Sequence, residues 1–203
     1  LFSDNSQQYF PEAFVICTHF KGTAGREVIA TKDCTGTLIE QLNKAIAFVI
    51  SSLNQRFEIK GIQRSQQLEI PEEAIREVVI NAIAHRDYHL PGPIKIAIYD
   101  DRVEIFSPGN FPGPLDVSRL ELGVTYIRNH IISRILREVG YIEKLGSGFL
   151  TLFNSYRKRR LPSPVVIEGS GFIKCILPRA TEKNTQMMAS NEESELMHLF
   201  YLS

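Results

Sequence analysis

Glu77, Asn81 and His85 recur at every fourth position in Glu-Val-Val-Ile-Asn-Ala-Ile-Ala-His-Arg-Asp-Tyr. On a helix that spacing stacks Glu77 and Asn81 on adjacent turns of one face. A carboxylate can take a proton from water, and an amide oxygen is a hard ligand of the kind Mg²⁺ accepts, so the pair can meet one cation or one water. The same spacing also describes two solvated positions at the margin of an amphipathic helix. Spacing alone leaves both readings open.

Gly146-Ser147-Gly148 precedes a second helical pattern. Backbone N–H groups at such a helix start can receive a phosphate, and missing side chains allow close approach; a plain turn and cap has the same composition. His85 and His89 have metal-ligand spacing, but the central Glu of H-E-x-x-H is missing and Leu90-Pro91 ends the helix, which favours a structural His85. His85-Arg86-Asp87 is not a kinase catalytic loop, because the fifth residue after the Asp is Gly92 where that loop needs Asn. No G-x-x-x-x-G-K-[ST] occurs, so no P-loop motor is encoded. Arg157-Lys158-Arg159-Arg160 can touch DNA phosphates or simply complement the negative end of a helix.

These residues need elements to hold them. Residues 12–20 and 26–30 read as short strands around the turn at 21–25, and Leu38, Leu42, Ala45, Ile46, Val49, Ile50 and Leu53 set a helix from Thr37 to Phe57. Pro71 opens the next helix, which runs to about Tyr88. There Ala74, Ile75, Val78, Val79, Ala82 and Ile83 fill one half of the wheel, and Glu77, Asn81 and His85 lie along its edge. Ile94, Ile96 and Ile98, a turn at Asp100-Asp101, then Val103 and Ile105 make an antiparallel hairpin. A third helix spans about Thr125 to Val139 with a Gly140 cap, and a fourth follows Gly148 and stops before Pro162. A last hairpin joins residues 165–168 to 172–177. The expected fold is α/β of the α+β type, a two-layer sandwich of helices on a mixed, mostly antiparallel sheet.

Composition narrows the function classes. The chain has 203 residues, 43% hydrophobic, with 23 Lys+Arg balancing 23 Asp+Glu, which excludes disorder for most of it and any global electrostatic footprint for nucleic acid. Its longest apolar run, Ala45–Ile50, is far below the ~18 residues of a membrane span. Cys17, Cys34 and Cys175 lack C-x-x-C spacing, which points away from disulfides and zinc and toward a reducing cytoplasm. Leu1–Tyr9 has neither an initiator Met nor a signal-peptide pattern, so a fragment of a longer protein is expected.

The run from Glu77 to Tyr88 resembles the N-box of GHKL-type (Bergerat-fold) ATPases, in the divergent branch found in RecG-related transcriptional regulators that share N-A-x-x-H-R-D-Y. The resemblance continues in the family's order through Asp101-Arg102-Val103-Glu104-Ile105-Phe106-Ser107-Pro108-Gly109, Arg128-Asn129, and Ile142-Glu143-Lys144-Leu145-Gly146-Ser147-Gly148. It implies a Bergerat-like domain that binds ATP and Mg²⁺. Glu77 would orient or deprotonate the attacking water, and Asn81 would help hold Mg²⁺. Gly146, Ser147 and Gly148 would form the second glycine box. Asp87, Ser107 and Gly109 would complete the cofactor-binding set, and Arg128 would contact phosphate or a partner unless it serves as a surface salt-bridge residue.

The acidic adenine reader of the first glycine box is replaced by Ser107-Pro108-Gly109-Asn110. Residues 110–145 would be the ATP-lid region, with Gly113-Pro114 and Gly123 as flexible points. Residues 1–60 resemble the tail of a Schlafen/AlbA-like domain, followed by the ATPase-like unit at 61–179 and a linker at 180–190. The capping box Ser190-x-x-Glu193 then opens a winged-helix domain at 191–203.

The leading expectation is a transcriptional regulator whose nucleotide occupancy sets lid or dimer geometry for a DNA-binding domain. Its expected partners are a nucleotide, DNA through flanking domains and a second copy of the chain, with no membrane. The alternative is a non-catalytic interaction or dimerisation module on a degenerate Bergerat scaffold. Weak ATPase activity is a third class, and nothing in the sequence supports helicase activity.

Overall fold

The computed structural model describes residues 1–3, 6–53, 55–60, 63–113, 117–122, 126–142 and 148–181. A single turn, α1 (Ser6–Tyr9), precedes β1 (Val15–Lys21), β2 (Glu27–Cys34) and α2 (Leu38–Ser52). A hairpin, β3 (Gln55–Lys60) and β4 (Gln63–Leu68), leads to α3 (Glu72–His85), β5 (Ile94–Ile98) and β6 (Arg102–Pro108). A 3₁₀ turn at Val117–Leu122 then leads to α4 (His130–Glu138), α5 (Gly148–Lys158), β7 (Val165–Gly169) and β8 (Phe172–Pro178).

Six strands form one sheet in the order β2-β1-β5-β6-β8-β7, and β3-β4 stand apart as a pair. Every neighbour in the large sheet is antiparallel except β1 and β5, which run parallel with Val15 beside Ile94 and Cys17 beside Ile96. The sheet therefore joins strands from the first 34 residues to strands from residues 94–178.

Alternation assigns the two faces. Val15, Cys17, Ile94, Ile96, Ile98, Val103 and Ile105 are buried beneath α2, α3 and α5. The opposite face carries Lys174 on Glu104 at 2.7 Å and Phe106 stacked on Phe172. This is the mixed α+β, two-layer sandwich that the sequence predicts.

Three helix boundaries differ from expectation. The helix expected to reach Phe57 stops at Ser52: the Ser51 and Ser52 hydroxyls both donate to the Phe48 carbonyl at 2.9 Å, and Leu53 turns extended at ψ 143°. Phe57 lies instead in β3, and the β3–β4 hairpin has no apolar alternation in Gln63–Leu68 to announce it. The helix expected to reach Tyr88 stops at His85 because Arg86 is extended at ψ 137°. The helix expected from Thr125 begins at His130, and Thr125 itself lies outside the described residues. Gly140 caps that helix as predicted, at φ 81°, with Tyr141 N–H returning to the Leu136 carbonyl at 2.8 Å.

Candidate functional site

α3 is the element that positions the candidate residues. Its apolar face, Ala74, Ile75, Val78, Val79, Ala82 and Ile83, is buried, which fixes the rotation of the helix and leaves Glu77 and Asn81 half-buried at the margin. Asn81 Nδ2 donates to Glu77 Oε1 at 3.0 Å. With its nitrogen committed to Glu77, the amide's remaining polar atom is Oδ1, the hard oxygen donor that Mg²⁺ accepts.

α5 begins directly against this pair. A Cβ on Gly148 would stand 2.0 Å from Glu77 Oε1 and 2.8 Å from Asn81 Nδ2, so any larger residue would push the pair out of this arrangement. The first turn of α5, whose N–H groups have no acceptor within the helix, is thereby set with the positive end of its dipole beside a carboxyl group. Burial raises the Glu77 carboxyl above its ordinary range, partly offset by the Asn81 hydrogen bond. A carboxylate with a raised pKa is a stronger base than one in open water.

A second cluster surrounds the end of α3. Arg128 Nη1 meets Asp87 Oδ2 at 3.0 Å, and Nη2 donates to the Asn110 carbonyl. Asp87 Oδ1 also accepts from the His89 backbone at 3.0 Å and faces the His89 ring at 3.2 Å. The His89 backbone bond, then its ring, then the Arg128 charge hold the Asp87 carboxyl below its usual range.

Gly109 lies under Asp87 at φ 113°, where a Cβ would stand 2.8 Å from Asp87 Cβ. Asn129 Nδ2 donates to the Ala84 and Arg86 carbonyls at 2.9 and 2.8 Å, which satisfies two groups that the end of α3 leaves unpaired.

The remaining side chains of His-Arg-Asp-Tyr hold the same turn. Arg86 is buried and donates to the carbonyls of Asp87, Leu90, Gly92 and Glu12, and Tyr88 Oη donates to the Ile83 carbonyl at 2.8 Å. Burial, and to a lesser degree the Arg128 charge, lower the His85 pKa to about 4, so its ring is neutral at pH 7. His89 has its side chain almost fully exposed, and among the described residues no group of three or more His, Cys, Asp or Glu gathers to hold a metal.

Glu77, Asn81 and Gly148 thus converge, as do Asp87, Gly109 and Arg128 further along the same helix. Ser107 lies beside α3, buried, its Oγ donating to the Ala82 carbonyl at 3.0 Å. Gly146 and Ser147, like Pro114 and Gly123, fall outside the described residues. The basic run divides: Arg157 bonds Asn154 at 2.9 Å, while Arg159 reaches back to the Leu68 carbonyl. Asn129 was not assigned a role from sequence, because nothing local shows that its amide caps a helix 44 residues earlier.

Residues 92–177, most of this second cluster and the sheet behind it, match the family model described as "Putative ATP-dependent DNA helicase recG C-terminal". Over this stretch the chain is similar to that family's domain. The match begins after α3, so Glu77 and Asn81 precede the matched stretch and meet it through Gly148.

The domain's fold is shared with a solved structure, the DIP2311 protein from Corynebacterium diphtheriae, at a TM-score of 0.75 and 22% identity over 83% of this chain. The chain spans about a third of that protein, 35% of its length. No curated protein matches the chain. Among the described residues, no helix is long and apolar enough to cross a membrane.

Proposed function

We propose that the domain binds ATP with Mg²⁺ between α3 and the start of α5. In this reading, occupancy of the site sets the geometry of an attached DNA-binding domain in a transcriptional regulator. The observation that carries the reading is the close approach of Gly148 to the Glu77–Asn81 pair, which gathers a carboxyl group, an amide and a helix start within contact distance.

That donor set fits the ligand. The amide oxygen of Asn81 suits a hard cation, the start of α5 at Gly148 suits phosphate oxygens, and Glu77 is within reach to orient a water. Bound Mg²⁺ would supply neutralisation of phosphate charge. The chain's own part is to hold Asn81 by its bond to Glu77 and to keep side-chain atoms out of the phosphate position at Gly148.

A second reading has its own support. Ser107 is engaged with the Ala82 carbonyl, and Asp87 and Arg128 are paired with each other. A scaffold that has given up nucleotide for protein contacts would look the same there.

Calorimetric titration of ATP with Mg²⁺ into the parent chain and Asn81→Ala separates the two, with thermal unfolding to show that both are folded. Binding in the parent and none in the variant supports the nucleotide switch. A folded parent that takes up no heat from ATP leaves the interaction module.

A further inference from the structure

Cys17 and Cys34 meet inside the sheet although 17 positions of sequence separate them. Cys17 stands opposite Lys32 and Cys34 opposite Val15, so the two are diagonal neighbours across the β1–β2 pair, on the face that α2 covers. Their sulfurs are 3.9 Å apart, and neither residue is exposed. Cys175 lies in β8, three strands from β1, which is about 14 Å at the spacing of a sheet. One pair of thiols is therefore within reach of reaction, and the third serves as an internal control.

The two thiols are not equivalent. The hydrogen bond with Cys17 lowers the Cys34 pKa against the effect of burial, and the charges of Lys32 and Lys44 lower it further. The same hydrogen bond, reinforced by burial and by charge on Cys34, raises Cys17. Lys44 is fixed there by its bond to the Thr35 carbonyl at 2.8 Å, one residue beyond Cys34. A thiol held toward its anionic form beside lysines is the attacking partner in thiol–disulfide exchange, and a protonated thiol next to it is placed to follow.

Access comes from the edge of the sheet. β2 is the outermost strand, Glu27–Asp33 are all exposed along it, and β1 is its neighbour in the sheet order. Cys34 is its last residue. Parting the end of β2 from β1 uncovers the Cys34 sulfur while the rest of the core stays closed.

We propose that Cys17 and Cys34 are a redox-active dithiol, which a low-molecular-weight disulfide oxidises to a reversible Cys17–Cys34 bridge. Cys34 Sγ, as thiolate, attacks one sulfur of the reagent, whose S–S bond breaks and whose other half leaves as a thiolate. Cys17 Sγ then attacks Cys34 Sγ, the mixed disulfide breaks, and the second half leaves. The protein's two thiols are oxidised to one disulfide, the reagent is reduced to two thiols, and the two protein protons end on them through water.

Geometry makes the bridge a labile one. Diagonal neighbours have Cα atoms about 7–8 Å apart, against roughly 4.4–6.8 Å for a relaxed disulfide. Closing the bridge draws the end of β2 inward, and a bridge made against that resistance is readily reduced.

The test equilibrates the full, folded chain with glutathione from fully reduced to fully oxidised, quenches in acid, and alkylates the unfolded chain with N-ethylmaleimide for intact mass and peptide mapping. Excess oxidised glutathione should give a chain lighter by two hydrogens, with Cys17 and Cys34 in one linked peptide pair and Cys175 alkylated. Excess reduced glutathione should reopen it. Cys17→Ala should leave glutathione on Cys34, and Cys34→Ala should slow the reaction of Cys17 roughly tenfold. Thermal unfolding shows whether each variant folds, and the parent's own peptide map decides the case if one does not.

No bridge in the folded chain at any glutathione ratio, a bridge that forms only in urea strong enough to unfold it, or one that excess reduced glutathione does not reopen, each overturns the proposal. So does glutathione on Cys175 as readily as on Cys34.

Discussion

Arg128, two residues before α4, is bound to Asp87, two residues beyond α3, at 3.0 Å across 41 positions of sequence. Together with Asn129 on the last carbonyls of α3, it ties the segment entering α4 to the end of the helix that carries Glu77 and Asn81. Both ends of that segment are anchored by this contact, since Arg128 Nη2 also holds the Asn110 carbonyl.

Arg128→Ala and Asp87→Asn should therefore each lower unfolding stability. Both side chains are 23% exposed, so solvent screening keeps the pair at about 1 kcal/mol, well below a buried ion pair. A double-mutant cycle in urea should return a coupling of that size. Additivity of the two single losses would show that the contact contributes nothing.

Gly109 and Gly148 should respond differently to alanine. At Gly109 the new Cβ meets Asp87 Cβ at 2.8 Å and its backbone nitrogen at 3.1 Å, on a backbone at φ 113° that L side chains rarely adopt; the loss should exceed about 2 kcal/mol. At Gly148 the obstacle is mainly a carboxylate oxygen that can turn aside, so about 1 kcal/mol is expected. If the nucleotide reading holds, Gly148→Ala should nonetheless abolish ATP binding. Chemical denaturation and calorimetry on the two variants check both the ranking and the binding loss.

Acid should destabilise the fold through His85. Its folded pKa is about 4 against 6.5 in the open chain, so between those values the unfolded chain binds the extra proton. The contribution is complete above about pH 6.5 and falls by up to ~1.4 kcal/mol per pH unit toward pH 4. Glu77, raised by burial, works in the opposite direction in the acid part of that window. Urea midpoints at pH 7.5, 6 and 5 should fall steeply in the parent and less in His85→Gln, which has nothing to protonate there.

Arg179 and Glu69 join the end of β8 to the start of α3 through Nε at 2.8 Å and Nη2 at 2.5 Å, with both side chains under 10% exposed. Arg179→Met should cost about 3–5 kcal/mol, because Glu69 is left charged and buried. Pairing it with Glu69→Met should recover most of the loss, measurable as a return of the denaturation midpoint.

The sequence by itself determined what is written in short periods. The three-and-four spacing of α3 placed Glu77 and Asn81 at the margin of its buried face. The period of two in Ile94–Ile98 set the β5–β6 hairpin, and Gly140 marked the end of α4. Each depends on residues a turn or a strand apart, so local sterics and burial suffice.

Tertiary structure alone decided which distant residues meet: Gly148 on Glu77, Arg128 on Asp87, Asn129 on the end of α3, and β1 parallel to β5. It also decided the β3–β4 hairpin, whose second strand, Gln-Arg-Ser-Gln-Gln-Leu, carries no alternation and is held by backbone pairing that any side chains permit. Such contacts depend on how whole elements pack around one core, and no local period records that.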